Sequence, residues 1–277
     1  MLTTTIDGLW VLQVLSRIEV LAPELGLRPY MPSVETARTA LEHPVAQGLR
    51  DAGAISASGE VDETLLEWLR VVAQRDIGLL FYAPSPFQGG NPQRVLLARF
   101  AQWWVTLERS DSRVSLADAG IATSEQSAAA LISGHIEGLC GAVAPAPFRP
   151  VTIDVDELVN TVNDADGLRR FLNDRNLDRD QASVLMSAAD TANSAHASFV
   201  ALQSDYTSPV FRKFAETAVV TVIDTPSGRL VCERVIRGGR RWMIASPGSA
   251  GNLASAVLTM IRCLPVRETW HSHRKAV

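Results

Sequence analysis

A serine at a predicted strand-to-helix junction is the first residue whose surroundings would suit chemistry. The segment Gly248-Ser249-Ala250-Gly251 is similar to the sharp turn that presents a nucleophilic serine, and His196 would be a candidate base. That turn needs a glycine two residues before the serine, and Pro247 occupies this position. Because serine commonly caps helices, the pattern favours an N-cap. A serine-type hydrolase stays open as an alternative function.

The histidines near the C-terminus are the best candidates for metal ligands. His271 and His273 are two residues apart, and Cys263 precedes them. Zinc sites use three or four ligands at characteristic spacing, and the sequence has no Cys-x-x-Cys or His-Glu-x-x-His. We therefore expect no metal site, and we interpret these residues as a frayed C-terminal tail.

Other catalytic patterns are also missing from the sequence. It has no Gly-x-Gly-x-x-Gly and no Gly-Lys-Ser/Thr phosphate loop. Asp154, Asp156 and Glu157 stand at a predicted helix start, where the helix dipole favours negative charge. We interpret them as capping residues and not as an acid–base pair. No catalytic residue is predicted.

Composition limits the classes of protein that this chain can belong to. It has 277 residues, 47% of them apolar, and a formal net charge of −4. That apolar content excludes disorder, and a mildly acidic chain has no global electrostatic reason to bind nucleic acid or an anionic membrane. The N-terminus has no signal-peptide pattern, and no apolar run reaches the roughly 18 residues of a membrane span. Three widely spaced cysteines predict reduced, mostly buried thiols in a cytosolic protein.

Hydrophobic spacing and turn residues predict an α+β fold. Helices are expected over 34–52, after Asp62, and after three capping patterns, Thr123 with Gln126, Asp154 with Glu157, and Asp178 with Gln181. Hairpin-linked strands imply antiparallel pairing. The strands are expected at 77–82, 94–100, 103–109, 113–117, 218–224, 229–236 and 241–246.

The chain also shows a weak internal repeat. Thr5-Ile6-Asp7 recurs as Thr152-Ile153-Asp154, each time before a helix. The Pro- and Ala-rich residues 144–150 are typical of a linker. We predict two quasi-symmetric α/β halves, 1–143 and 151–277, joined by the linker 144–150. They would share one central antiparallel sheet flanked by helical bundles, and so form effectively one domain.

One predicted strand is apolar on both sides. Val220 and Val222 lie on one side, and Val219, Thr221 and Ile223 lie on the other. Antiparallel sheets often expose one polar face, so two apolar faces need two covers. The second cover would be the protein's own helices or a bound protein. A structural homodimer that buries this face between copies is a further alternative.

The beginning of the chain resembles the EspG family, the ESX (type VII) secretion-associated chaperones of mycobacteria. The resemblance lies in Thr5-Ile6-Asp7-Gly8-Leu9-Trp10-Val11-Leu12-Gln13-Val14-Leu15 and in Ala22-Pro23-Glu24-Leu25-Gly26-Leu27-Arg28-Pro29. It continues through His43-Pro44, the 75–80 segment and a last helix, predicted from the apolar stripe between Leu253 and Leu264, as far as Trp270. Within the family, the chain looks most similar to the member serving the ESX system that exports the best-known small virulence antigens.

The resemblance implies a function without catalysis. Proteins of this family are cytosolic and bind the helical tip of the PPE protein in a PE–PPE heterodimer. They keep the pair soluble and direct it to its cognate ESX system. The resemblance implies no cofactor, no metal, no nucleic acid and no membrane insertion, and it agrees with the sheet and halves predicted above. A weak homodimer is the alternative assembly.

The resemblance also suggests where the partner binds. It implicates the central sheet, helical residues between about 168 and 186, and the loop 85–92. We expect Ile223→Asp to weaken binding and leave the fold intact. The expected partner-binding residues are Ile223, Asp224, Arg229, Val231, Glu233, Val235 and Phe87.

Overall fold

Ten β-strands form one antiparallel sheet in the computed structural model, which describes residues 1–83, 92–204 and 219–274. The order of the strands across the sheet is β1-β5-β4-β3-β2-β7-β8-β9-β10-β6, and each pairing of neighbours is antiparallel. Their bounds are β1 Leu2–Thr5, β2 Ile77–Ala83, β3 Gln93–Phe100, β4 Trp103–Ser110, β5 Arg113–Ile121, β6 Val151–Asp154, β7 Ala195–Gln203, β8 Val220–Thr225, β9 Gly228–Arg237 and β10 Arg240–Pro247.

The described residues form nine α-helices. They are α1 Ile6–Leu15, α2 Ala37–Glu42, α3 Val45–Asp51, α4 Glu63–Gln74, α5 Glu125–Cys140, α6 Val155–Thr161, α7 Ala165–Asp174, α8 Arg179–Ala189 and α9 Ala250–Arg262. Helices α1 and α4–α9 pack on the sheet or on its cores. The predicted mixed α+β class and the antiparallel sheet are confirmed.

Alternation along the central strands divides the core between two sheet faces. Leu79 and Phe81 point to the side covered by α5 and α9, which we call the front face. Leu80 points to the opposite side, the back face, where α1–α4 form one core. Helices α7 and α8 form a third core on the back face over β8–β10. The sheet is therefore covered by helices on both sides.

Helix starts follow the capping patterns in most cases. The side chains of Asp62, Asp154 and Asp178 accept hydrogen bonds from backbone amides at the starts of α4, α6 and α8, and Asp178 with Gln181 forms a full capping box. The predicted Thr123 cap is wrong by one residue. Ser124 caps α5 instead, in a capping box with Ser127.

Two further element predictions are corrected by the structure. The helix predicted over 34–52 is divided into α2 and α3 at His43-Pro44, because proline restricts the residue before it and lacks an amide hydrogen. Strand β7 was not predicted at all, although it pairs with β2 and β8 at the centre of the sheet.

The segment between α5 and β6 is packed against the sheet. Ala146 donates its amide hydrogen to the Arg229 carbonyl at 2.8 Å, and the Arg229 amide donates to the Ala144 carbonyl at the same distance. Phe148 is buried in the back-face core beneath α7 and α8. The predicted linker therefore contributes to the core of the second half of the chain.

Candidate partner-binding surface

Most of the predicted partner-binding residues share one face of the sheet. The register of β8 and β9 places Asp224 opposite Arg229 and Val222 opposite Val231. Because Val222 and Val231 belong to the front-face core, alternation places the other predicted residues of β8 and β9, apart from Ile223, on that face as well. Phe87 lies outside the described residues. The front-face set is Asp224, Arg229, Val231, Glu233 and Val235.

Ile223 occupies the opposite face. It pairs with Leu230 across β8–β9, and both residues belong to the core under α7 and α8. Only 8% of Ile223 is exposed. Of the two covers considered from the sequence, the protein's own helices occupy this side of β8.

Asp224 and Arg229 form a largely buried ion pair. The Arg229 Nε and Nη2 atoms donate to the two Asp224 carboxylate oxygens at 2.6 and 2.8 Å. The same guanidinium donates to the carbonyls of Cys140 and Gly141 at 2.5 and 2.9 Å. These carbonyls lie at the C-terminal end of α5, where the helix leaves acceptors without intrahelical partners. Arg229 therefore attaches α5 to strand β9.

Val231 is also enclosed by the protein itself. It is fully buried in the front-face core together with Leu253 and Val257 of α9. Arg229 and Val231 are thus buried inside the protein. The side chains that reach solvent lie farther along β9.

An apolar strip lies beyond the part of the front face that α9 covers. Val235 stands opposite Trp242, and Glu233 stands opposite Ile244 across the β9–β10 hairpin. Val235, Trp242 and Ile244 are partly exposed and belong to none of the three cores of the described residues. Helix α9 packs on β7, β8 and β9. We call Glu233, Val235, Trp242 and Ile244 the β9–β10 strip.

The hairpin turn explains why these residues face each other. Gly238 and Gly239 both have positive φ, 57° and 75°, which is the conformation of the tight two-residue turns that suit twisted strands. This turn pairs Arg237 with Arg240 and thereby fixes the register of β9 and β10. The sequence analysis did not name Trp242 and Ile244. The Gly238-Gly239 turn fixes the pairing of the two strands, so it could have been used to place these residues opposite Val235 and Glu233.

Glu233 is the titratable member of the strip. Partial burial raises the pKa of its carboxyl, because the charged form loses hydration between its apolar neighbours. The β9–β10 strip therefore presents three apolar side chains beside a carboxyl group held in a poorly hydrated position.

A groove lies between the helices on the back face. Its volume is about 620 Å³, and Leu168 of α7 and Met186 of α8 are among its lining residues. These two residues lie at the ends of the helical range that the family resemblance implicated. The groove and the β9–β10 strip are on opposite faces of the sheet.

The residues considered for catalysis serve structural roles. Ser249 caps α9 by accepting the Asn252 amide hydrogen at 3.2 Å, as predicted. His196 lies on the back face, opposite Ile223, and its Nε2 is 2.9 Å from the Ser194 hydroxyl. The serine and the histidine thus belong to opposite sides of the sheet.

The C-terminal tail is packed and not frayed, which corrects the prediction. Trp270 is fully buried in the front-face core. The carbonyl of His273 accepts a hydrogen bond from the buried Arg99 guanidinium, and burial lowers the pKa of the His273 imidazole. Over 1–83, 92–204 and 219–274, no three His, Cys, Asp or Glu side chains are grouped in a way that would hold a metal ion.

All three cysteines are free thiols. Cys140 and Cys232 are buried, and burial raises the pKa of each thiol to about 12, whereas Cys263 is exposed. Two of the three therefore match the prediction of buried thiols. No helix in the described part of the chain has both the length and the apolar character needed to cross a membrane.

Comparisons with known proteins give consistent matches over almost the whole chain. A family model described as the EspG family matches residues 5–258. The ESX-2 secretion-associated protein EspG2 of Mycobacterium tuberculosis, in strains CDC 1551 and H37Rv, is 45% identical over 278 residues, and the alignment covers 100% of both chains. The ESX-5 secretion-associated protein EspG5 of Mycobacterium marinum is 26% identical, with 99% of this chain and 97% of the relative covered.

A solved structure has a similar fold. It contains the M. tuberculosis type VII secretion system chaperone EspG5 in complex with the PE25–PPE41 dimer. The TM-score is 0.77 at 22% sequence identity, and the match covers 98% of this chain and 99% of the other.

Proposed function

The chain belongs to the EspG family, as its opening residues predicted, and we propose that it is a cytosolic type VII secretion chaperone that binds a PE–PPE heterodimer. It binds the helical tip of the PPE protein, keeps the pair soluble and directs it to the cognate ESX system. The protein needs no cofactor or metal for this task, and neither nucleic acid nor membrane insertion takes part. The solved EspG5 complex with a PE25–PPE41 dimer supports the choice of partner.

The observation that carries this proposal is the partly exposed β9–β10 strip, whose apolar residues lie outside the three cores of the described residues. On β8 and the first part of β9, the apolar side chains Val220, Val222, Ile223, Leu230 and Val231 are buried in the cores under the helices. Val235, Trp242 and Ile244 are apolar, adjacent and without such a cover in the described residues. Apolar residues at the end of a helical tip would bury this surface.

The strip has the composition expected of an interface centre. Tryptophan is enriched among the residues that dominate binding energy, and it works best when apolar neighbours exclude water around it. Val235 and Ile244 flank Trp242, and Glu233 adds one polar group at the edge. A partner interface of ordinary size buries roughly 800 Å² on each side. The strip would therefore be its centre, with the contact extending onto neighbouring elements.

The remaining predicted residues fit this surface as supports. Arg229 and Asp224 hold β8 and β9 against α5, and Val231 joins β9 to α9. Ile223 packs β8 against the back-face helices. We infer that Glu233 and Val235 touch the partner, and that Ile223, Asp224, Arg229 and Val231 keep the strands in place beneath it.

The two-half organisation is a further part of the proposal. Strands β1–β5 occupy one side of the sheet in the order 1-5-4-3-2, and β6–β10 occupy the other in the order 7-8-9-10-6. Each half therefore has its first strand at an outer edge and a later strand at the centre. This order supports quasi-symmetric halves, 1–143 and 151–277, joined by 144–150.

We propose ESX-2 as the type of secretion system that the protein serves. The support is the 45% identity to EspG2 over the full length of both chains, compared with 26% to EspG5. The sequence-based expectation was the system that exports small virulence antigens, and the 45% identity to EspG2 favours ESX-2 instead.

Size-exclusion chromatography with in-line light scattering tests the function. The protein is run alone and with PE–PPE pairs from several ESX loci, beginning with ESX-2. The expected result is a monomer alone and a stable complex with one pair. A homodimer in a concentration series would favour the structural alternative. If no soluble PE–PPE pair of the source genome binds, the chaperone function is wrong.

A further inference from the structure

Two arginines face each other at the tip of the β9–β10 hairpin. Arg237 and Arg240 are directly opposed across the Gly238-Gly239 turn, and both are exposed. Like charges in opposed positions of an antiparallel pair destabilise it. A charged pair that lowers the stability of its own hairpin is often kept for function.

The described residues do little to neutralise this pair. No carboxylate of residues 1–83, 92–204 or 219–274 lies within 4.0 Å of the Arg237 guanidinium. Arg240 reaches only Asp154, with Nη1 3.9 Å from Oδ2. The other oxygen of Asp154 is already used, because it accepts the Asp156 and Glu157 amide hydrogens at the start of α6.

Two other arginines of these strands, Arg229 and Arg241, are matched with carboxylates, whereas Arg234 lies on the back face, opposite Met243. Arg229 has a bidentate pair with Asp224, and Arg241 pairs with Asp156 on α6. Arg241 alternates with Trp242, so its side chain belongs to the back face. Arg237 and Arg240 alternate in phase with Val235 and Trp242, so they lie on the front face. The β9–β10 strip therefore ends in two guanidinium groups.

We propose that Arg237 and Arg240 select partners whose docking tip carries an acidic side chain beside its apolar anchor. The inference rests on the proposed chaperone function and names the kind of tip that the surface accepts. Guanidinium groups bind carboxylates through paired, charge-assisted hydrogen bonds. An anchor packed on Val235 and Trp242 would bring a neighbouring carboxylate within reach of the pair and exclude water around it.

Opposite effects on stability and binding distinguish this role from a structural one. Arg237→Glu places a carboxylate opposite Arg240, so the melting temperature of the free protein should rise by about 1–2 °C. The same change should weaken binding of the PE–PPE pair identified by chromatography about tenfold. If the arginine only stabilised the fold, its replacement would lower both the melting temperature and the affinity.

A double charge reversal with a matched control gives the decisive comparison. Arg237→Glu with Arg240→Glu is compared with Arg70→Glu and Arg113→Glu, two exposed arginines of the first half of the chain that give the same change in net charge. Affinity is measured by calorimetry at low and high salt. The hairpin variant should lose at least tenfold in affinity and most of the salt dependence, and the control should bind like the wild type.

Reversal of the partner's charge completes the test. Each acidic residue of the PPE tip is changed to lysine, and one such change should restore binding to the doubly reversed hairpin variant. If the wild-type protein binds but the hairpin variant binds equally well with the same salt dependence, the acidic-tip inference is wrong and the chaperone function stands. If the wild-type protein binds no pair, both proposals are overturned.

Discussion

Val235 lies directly opposite Trp242 across the β9–β10 hairpin, on the front face of the sheet. The pair is partly exposed, whereas Val231, four residues earlier on the same face of β9, is fully buried under α9. The change from buried to accessible thus occurs along one strand. It separates residues that hold the fold from residues that are free to contact a partner.

Trp242→Ala should therefore weaken binding much more than it weakens folding. We expect a loss of about 2 kcal/mol in binding free energy, or about thirtyfold in affinity, because the indole would be the largest anchor of the interface. Isothermal titration calorimetry with the cognate PE–PPE pair measures it. Trp103→Ala is the matched control, since Trp103 is 46% exposed but lies in the first half of the chain. Equal losses in both variants would contradict the placement of the interface.

Ile223→Asp should destabilise the fold and not selectively impair binding. The sequence analysis expected the reverse, but Ile223 is buried beside Leu230 in the core under α7 and α8. A carboxylate at this position would lack hydration and a partner, so we expect a loss of about 3 kcal/mol or more in the free energy of unfolding.

Urea denaturation measures this effect, with Ile236→Asp as the control. Ile236 is 48% exposed on the neighbouring strand, and its substitution should change stability by less than about 0.5 kcal/mol. A stable Ile223→Asp variant would show that the back-face helices are not firmly packed over β8.

Ile223 also shows why strands are easier to predict from one sequence than the helices that pack on each face of the sheet. Local turn chemistry predicted the hairpins, because Gly238-Gly239 permits the positive φ that a two-residue turn requires. Which helix covers which face depends on contacts between distant segments, such as Ile223 with α7 and α8. Neither periodicity nor propensity contains that information.

Strand β7 and the C-terminal tail were missed for related reasons. Ala195-His196-Ala197-Ser198 has little β-branched or aromatic character, and the strand forms because β2 and β8 pair with it on both sides. The tail after α9 is held by burial of Trp270 and by the hydrogen bond from Arg99, both of which are long-range contacts. For the site, the sequence named Glu233 and Val235 but not Trp242 and Ile244.

Arg229 should be essential for stability because it joins three structural features. Its guanidinium pairs with Asp224 and donates hydrogen bonds to the Cys140 and Gly141 carbonyls at the end of α5. Arg229→Met would leave Asp224 without its cation, and we expect a loss of about 3–5 kcal/mol in the free energy of unfolding.

Arg262→Met is the control, because Arg262 also pairs with α5, through Glu125 at 2.8 Å, but at an exposed site. That variant should lose about 1 kcal/mol or less. Adding Asp224→Leu to Arg229→Met should recover part of the loss, since it removes the uncompensated charge. Similar denaturation midpoints for the two arginine variants would contradict the role of the buried pair.

Gly248 should tolerate no side chain. A Cβ atom at this position would lie 2.2 Å from the Cγ atom of Arg229 and 2.9 Å from its carbonyl carbon, so the strand or the buried arginine would have to move. We expect Gly248→Ala to lower the free energy of unfolding by about 1–3 kcal/mol. Gly251→Ala is the control in the same segment. Nothing lies within 4 Å of its added Cβ, and alanine favours helix α9 by up to about 1 kcal/mol. Thermal denaturation should move the two variants in opposite directions.

Glu233→Gln should stabilise the protein at neutral pH but not in acid. Burial raises the pKa of the Glu233 carboxyl in the folded state, so the folded protein binds this proton more tightly than the unfolded chain. Stability is therefore lost as the pH rises from the unfolded pKa through the folded pKa, and glutamine avoids that loss. Urea denaturation at about pH 4 and at pH 7 measures the difference in unfolding free energy between the two proteins, which should be near zero in acid and favour the variant at pH 7.

Glu137→Gln on the exposed side of α5 serves as the control. If the difference is the same at both pH values, the carboxyl of Glu233 is not poorly hydrated, and the strip around it is more open to water than the register of β9 and β10 implies.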